Sequence, residues 1–331
     1  MSVLREERVV VVGAGSLGTV YGAALARAGL DVQLLAREEH ARAIQARGTV
    51  LVDSFGEQWD VPLRADWRPE RIEPAEIVIL LTKTPDTATA LAGLPQVRDT
   101  VRIAASFQNG VAKDDELAAW SGPDSVVGAV AMVGGTLHAP GHVQHTMNGP
   151  SFIGELDGSE SVRVARLAAL LESGGLPVVT TDRIRSVEWS KLVHGSPTLA
   201  LPALTGLYMH EIFTSPELAR LYVDFVREGF AVAAAAGVEL EDWGSLFPVR
   251  TVATAEPAEA LEVALAHGRR LVEAGMTEIT VSMLQSVQTR RRLEVEAIQG
   301  YLCREGARLG VPTPLNDFSY RILAGMDATY A

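Results

Sequence analysis

The stretch RVVVVGAGSLGTVYGAALARAG, residues 8–29, decides how this chain folds. Residues 8–12 place four valines in a row, the pattern of a strand buried on both faces. Gly13-Ala14-Gly15-Ser16-Leu17-Gly18 then fits G-x-G-x-x-G. In that pattern the first glycine permits a tight turn and the second lets a pyrophosphate approach the backbone. The third lets helix pack on strand, and the free N–H groups of the helix start face the anion. Residues 17–28 are rich in Ala and Leu and predict a helix closed by Gly29. The alternative is a glycine turn with structural meaning alone, but strand before and helix after are the context that a dinucleotide site needs.

Working outward, residues 32–35, 77–81, 101–106 and 126–131 are further strand candidates with helical stretches between them. That alternation predicts an α/β fold, a Rossmann-type doubly wound parallel sheet. Residues 142–154, punctuated by Gly141, Gly149 and Pro150, predict a hairpin appended to it. Beyond about Asp182 the strand signal fades and helices dominate. Ser215-Pro216-Glu217 predicts a capped helix start, and residues 256–274 and 291–309 predict long helices, the last ended by Gly310 and Pro312. We expect a dinucleotide-binding domain over 1–182 and an all-helical substrate and dimerisation domain over 183–331.

The charge at the end of the second strand selects the dinucleotide. A carboxylate there accepts from the ribose of NAD, whereas an arginine pairs with the 2′-phosphate of NADP. Arg37 follows residues 32–36 directly and favours NADP(H), although Glu38 and Glu39 come next and a one-residue shift would favour NAD. Lys83, after the strand over 77–81, is a second cation near the cofactor phosphates, or else a solvated strand end.

Composition removes other classes. The chain has 331 residues, 29 Lys plus Arg against 41 Asp plus Glu, and a net charge of -12. Such a surface repels nucleic acid and anionic lipid, so neither is an expected partner. Cys303 is the single cysteine, which rules out an internal disulfide and a multi-thiolate zinc site. No run approaches the ~18 apolar residues of a membrane helix. The mixed charges of the opening residues do not suit a secretion signal, so a cytoplasmic location is expected. His138, His142 and His145 lie in strand-like sequence, where positions 142 and 145 face opposite ways; no metal site is expected.

Several segments, taken in order, resemble the ketopantoate reductase (2-dehydropantoate 2-reductase) family. They are residues 13–18, Arg37, Lys83, Gln108-Asn109-Gly110, Glu188-Trp189-Ser190-Lys191-Leu192, Ser282-Met283-Leu284-Gln285, and Glu294 followed by Ile298-Gln299-Gly300-Tyr301. The resemblance spans nearly the whole chain. It implies reduction of a 2-keto acid by NADPH, and a helical second domain like that of 6-phosphogluconate dehydrogenase. It matches Lys191 to the lysine that stabilises and protonates the carbonyl oxygen, and Glu294 to a catalytic carboxylate beside it. It matches Ser282 to a hydrogen-bond donor for the substrate carboxylate, and Asn109 to a residue near nicotinamide and lysine. Read alone, Lys191 and Glu294 are helix-surface residues, Ser282 is a helix cap and Asn109-Gly110 is a turn. If 282–294 were one straight helix, Ser282 and Glu294 would stand about 18 Å apart. Both serve one substrate only if the chain bends between them.

Two departures bear on the substrate. The family's helix carries asparagine four and eight residues after the lysine; here those positions hold Gly195 and Leu199. The losses predict a pocket with fewer polar partners, and a carbonyl substrate less polar than ketopantoate. Pro197 predicts a kink or an end to that helix. His194 is a candidate replacement donor. The departures also admit a catalytically silent NADP-binding sensor, or an imine reductase or alcohol dehydrogenase. The long helices of the second half are candidates for burying a homodimer interface.

Overall fold

Strand β1 (Arg8–Val12) is wholly buried from Val9 to Val12, and its alternating side chains enter two different cores. Val9 and Val11 pack with Val20, Tyr21, Leu25 and Leu167 on one face of the sheet. Val10 and Val12 pack with Leu91, Leu94, Val97 and Leu117 on the other. Burying each such valine contributes about 1.5–3 kcal/mol, so four consecutive ones fix the strand at the centre of a two-faced sheet.

A computed structural model describes residues 7–243, 248–278 and 280–330. The chain divides into two units, Met1–Gln108 with Ala112–Ile184, and Asn109–Val111 with Arg185–Ala331. In the first, β1 is followed by α1 (Ser16–Arg27), β2 (Asp31–Leu35), α2 (Glu38–Arg47), β3 (Thr49–Ser54), β4 (Glu57–Pro62), β5 (Arg64–Asp66) and β6 (Ile77–Leu80). Then come α3 (Thr87–Ala92), α4 (Pro95–Arg98), β7 (Ile103–Ser106), α5 (Lys113–Ser121), β8 (Val126–Ala139), β9 (His142–Gly154), α6 (Val162–Ser173) and β10 (Val178–Thr180).

The sheet runs β4-β3-β9-β8-β7-β6-β1-β2-β5, with β10 on β9. From β5 through β2, β1, β6 and β7 to β8 every neighbouring pair is parallel. Strand order reverses between β1 and β6, the point at whose carboxyl edge open α/β sheets bind ligands. The expected hairpin over 142–154 is β9, paired antiparallel with a β8 that runs well past 131. Its far side takes β3 in parallel. Strands β3, β4, β5 and β10 were not foreseen.

The second unit is helical: α7 (Ile184–Thr205), α8 (Met209–Thr214), α9 (Pro216–Ala235), α10 (Val249–Thr254), α11 (Pro257–Glu273), α12 (Ser282–Gln288), α13 (Gln299–Leu309) and α14 (Pro314–Asp327). Its core gathers Trp189, Val193, Phe213, Tyr222, Phe225 and Leu302. Among the described residues no helix is long and apolar enough to cross a membrane. Residues 1–6, read above for a secretion signal, lie outside the described set, as does Ile279 in the stretch before Ser282.

Three local expectations are corrected. Ser215 occupies the N-cap of α9, but its side chain makes no capping hydrogen bond. The helix expected over 291–309 begins only at Gln299. Arg290 takes a left-handed φ of 50°, and the Leu293 amide donates to Asp327 Oδ1 at 2.6 Å, which holds this segment away from helix. Pro197 does not end α7, which continues to Thr205. The helix is held at that point from outside. Gln299 Nε2 donates to the Ser196 carbonyl at 2.9 Å, and Ser196 Oγ donates to Asn316 Oδ1 at 2.5 Å.

The helical core encloses His194, whose Nδ1 lies 2.9 Å from the Tyr222 hydroxyl, and His267, stacked edge-on against Phe213. Burial pushes His194 well below the usual imidazole range and His267 down to about 4. The unfolded chain therefore binds more protons than the folded one below pH ~6.5. Stability from these groups is complete above that pH and is lost as pH falls toward 4. We expect Tm to drop steadily between pH 6.5 and 4.5, and His267→Phe to flatten that slope. An unchanged slope in the variant would assign the acid sensitivity elsewhere.

Candidate active site

The turn after β1 is built from three glycines, each needed for a different reason. Gly13 has φ +89°, and a Cβ on it would lie 2.3 Å from the Thr82 nitrogen, so the β1 turn packs directly on the β6 turn. The Gly13 and Ala14 amides both donate to the Leu35 carbonyl, at 3.0 and 2.9 Å. A Cβ on Gly18 would lie 2.6 Å from the Gly13 oxygen. Gly15 differs. Its φ is an ordinary -83°, it is exposed, and a Cβ there would meet nothing within 4 Å. No neighbouring side chain requires glycine at this position.

Gly15 is also the N-cap of α1 and supplies no side-chain cap. Thr19 is the first residue whose amide bonds back into the turn, to the Gly15 oxygen at 3.0 Å. The amides of Ser16, Leu17 and Gly18 are the helix start's orphan donors. A bare backbone under open space, with donors and the positive end of a helix behind it, fits a dinucleotide pyrophosphate.

Arg37 is the exposed N-cap of α2 at the end of β2, and its guanidinium makes no ion pair among the described residues. The neighbouring Glu38 is instead paired along the helix with Arg42 at 2.8 Å. Lys83, half-buried, follows β6 at the start of a short 3-10 turn over Thr84–Asp86. The fixing of that loop by Gln108 was missed in the sequence. The buried Gln108 amide donates to the Thr82 carbonyl at 2.8 Å and to Thr87 Oγ1 at 2.7 Å, while Ser106 Oγ donates to its oxygen at 2.9 Å. A glutamine directly behind a buried strand was the available signal.

Asn109, the next residue, belongs with the helical unit. Its Nδ2 lies 3.4 Å from Glu294 Oε2, a long hydrogen bond. Glu294 is only 9% exposed and stands in the irregular segment between α12 and α13, not on a helix surface. The bend required between Ser282 and Glu294 is therefore present. Ser282, half-buried, is the first residue of α12. The structure thus joins Asn109 directly to Glu294, and no hydrogen bond joins Ser282 to either.

Lys191 lies on α7, and the burial pattern marks its face. Lys191, Gly195 and Leu199 are partly exposed, while 192–194 and 196–198 are all buried. A Cβ on Gly195 would approach only Leu199 Cδ1, at 3.9 Å. The face therefore carries one ammonium, an open step and an apolar side chain. His194, engaged with Tyr222 in the core, does not replace the asparagines. The three hairpin histidines have separate partners: His138 Gln144, His142 Asp53, and His145 Ser54 with the Met147 carbonyl. No metal-binding group of three appears among the described residues.

A parallel sheet with this glycine turn at its switch point, joined to a helical unit carrying the lysine face, defines an oxidoreductase that uses a nicotinamide cofactor. The family description "Ketopantoate reductase PanE/ApbA" matches residues 9–158, and "Ketopantoate reductase PanE/ApbA C terminal" matches residues 183–327. The chain belongs to the ketopantoate reductase family, whose reaction is at a keto group. It is 26% identical over 325 residues to the 2-dehydropantoate 2-reductase of Archaeoglobus fulgidus, covering 98% of this chain and 99% of the relative. A PanE/ApbA family ketopantoate reductase from Ralstonia eutropha JMP134 superposes with a TM-score of 0.81 at 29% identity, covering 98% and 99%. D-mandelate dehydrogenase, solved with NADH and anilino(oxo)acetate, shares the fold, with a TM-score of 0.82 at 20% identity and coverage of 98% and 99%.

Proposed function

We propose that this chain reduces a 2-keto acid bearing an apolar substituent, with NADPH as hydride source and Lys191 as proton donor. The observation that supports the substituent is the open, apolar step of Gly195 and Leu199 beside Lys191. A pocket that offers hydrogen bonds to a substrate hydroxyl rejects analogues without it strongly, and the side chains at positions 195 and 199 offer none. Ketopantoate is accordingly not the preferred substrate.

NADPH, when bound, supplies hydride to the carbonyl carbon. The amides of residues 16–18 hold its pyrophosphate, Arg37 its 2′-phosphate, and Lys83 adds positive charge near the phosphates. Ser282 donates to the substrate carboxylate. The Lys191 ammonium lies on the keto oxygen, stabilises the negative charge that grows there, and gives up one proton as the alcohol forms. Glu294, itself held by Asn109, orients the ammonium.

Steady-state turnover of ketopantoate against branched aliphatic and aryl 2-keto acids tests the substrate. Selective, efficient turnover of ketopantoate would overturn the reading. Arg37→Ser tests the cofactor. A charged hydrogen bond contributes about 1.5–3 kcal/mol, so NADPH affinity should fall roughly 10- to 150-fold while NADH affinity stays constant. Equal losses for both cofactors would remove Arg37 from the 2′-phosphate.

A further inference from the structure

His40 is buried within α2, three residues after Arg37, and its two ring nitrogens touch two distant segments. Nδ1 accepts from the Gly141 amide at 3.0 Å, at the tip of the β8–β9 turn. Nε2 lies 3.0 Å from Thr19 Oγ1, and Thr19 Oγ1 in turn lies 2.6 Å from the Gly15 carbonyl oxygen. Directions in this chain are fixed by chemistry. A backbone N–H only donates, so Nδ1 is the acceptor and the imidazole hydrogen is on Nε2. A carbonyl only accepts, so Thr19 gives its own hydrogen to Gly15 and must receive the one from His40. Burial lowers the affinity of this ring for a second proton, which suits a neutral group with both nitrogens committed.

The end of the relay is the peptide unit joining Gly15 to Ser16. That unit is planar and trans, so anchoring its carbonyl oxygen on one side aims the Ser16 N–H to the other. We propose that His40 and Thr19 are positioning residues for the cofactor: through the Gly15 oxygen they orient the Ser16 amide toward the pyrophosphate. Neither touches the ligand. The inference rests on the reading that residues 13–18 hold a dinucleotide, and it explains a buried histidine that the hydride and proton steps do not use.

The test measures NADPH Kd, KM and kcat for wild type, Thr19→Val, Thr19→Ser, His40→Gln and His40→Asn. Thr19→Val is nearly isosteric and removes the hydroxyl; it should weaken NADPH binding about tenfold and raise KM, with kcat at saturating NADPH unchanged. Thr19→Ser should bind as wild type does. His40→Gln keeps a donor near the Nε2 position and should retain affinity, whereas His40→Asn keeps only an acceptor for Gly141 and should lose it. Wild-type NADPH affinity in Thr19→Val, or identical affinities in the two His40 variants, overturns the proposal. Should variants fail to fold, imidazole nitrogen NMR of the wild type decides: His40 must be the Nε2–H tautomer, and Nδ1–H sinks the relay. Failure of the wild type to bind any nicotinamide dinucleotide would instead overturn the reading on which the inference rests.

Discussion

Lys191→Ala should lower kcat by about 10²–10⁴-fold while NADPH binds with unchanged affinity. Positioned proton donors contribute that much, and the same ammonium also stabilises the oxygen charge that precedes proton transfer. Lys191 sits on the partly exposed face of a helix that is otherwise packed from residue 186 to 198, so its removal leaves the packed faces of that helix unchanged. The split between lost turnover and kept cofactor affinity is what distinguishes a proton donor from a structural lysine. Stopped-flow NADPH oxidation and a fluorescence titration give the two numbers. Full turnover in the variant would mean that another group protonates the oxygen.

Gly15→Ala should fold and yet bind NADPH about 100-fold more weakly. Apart from its two chain neighbours, the new methyl meets no protein atom within 4 Å, and φ there is negative. Its stability cost is that of a poorer N-cap, on the order of 1 kcal/mol. The methyl occupies the space through which a pyrophosphate reaches the amides of residues 16–18, and losing one or two charge-assisted hydrogen bonds at about 1.5–3 kcal/mol each accounts for the factor. Gly13→Ala is the contrast. With φ +89° and a Cβ 2.3 Å from the Thr82 nitrogen, it should destabilise the fold itself, by roughly 3 kcal/mol or more. If Gly15→Ala melted early, or bound NADPH normally, the exposed cradle would not be the cofactor site.

The parts of this fold that were legible are those whose determinants are local. Residues 8–29 carry strand, turn and helix in one uninterrupted stretch, and the alternation that follows repeats the signal. Strand β4 was invisible because Glu57–Pro62 is largely polar, mostly exposed and pairs only on the side of β3. The irregular segment at 291–298 was read as helix because what unwinds it is Asp327, thirty-four residues from Leu293. That error mattered for the site, since it put Glu294 on a helix surface when it is buried beside Asn109. Pro197 misled in the opposite direction: α7 continues through it, with Gln299 and Asn316 bonded to Ser196 beside it, where sequence alone predicts a kink or a break. His40 showed no signal for the same reason, its partners being 21 and 101 residues away.

The role of Lys191 is tested most directly by a crystal structure of the protein with NADP⁺ and a non-reducible 2-keto acid analogue. The Lys191 amine is expected at hydrogen-bond distance from the analogue's keto oxygen, with the substituent over Gly195 and Leu199. An amine turned to bulk water, with the keto oxygen held by some other donor, would contradict that role.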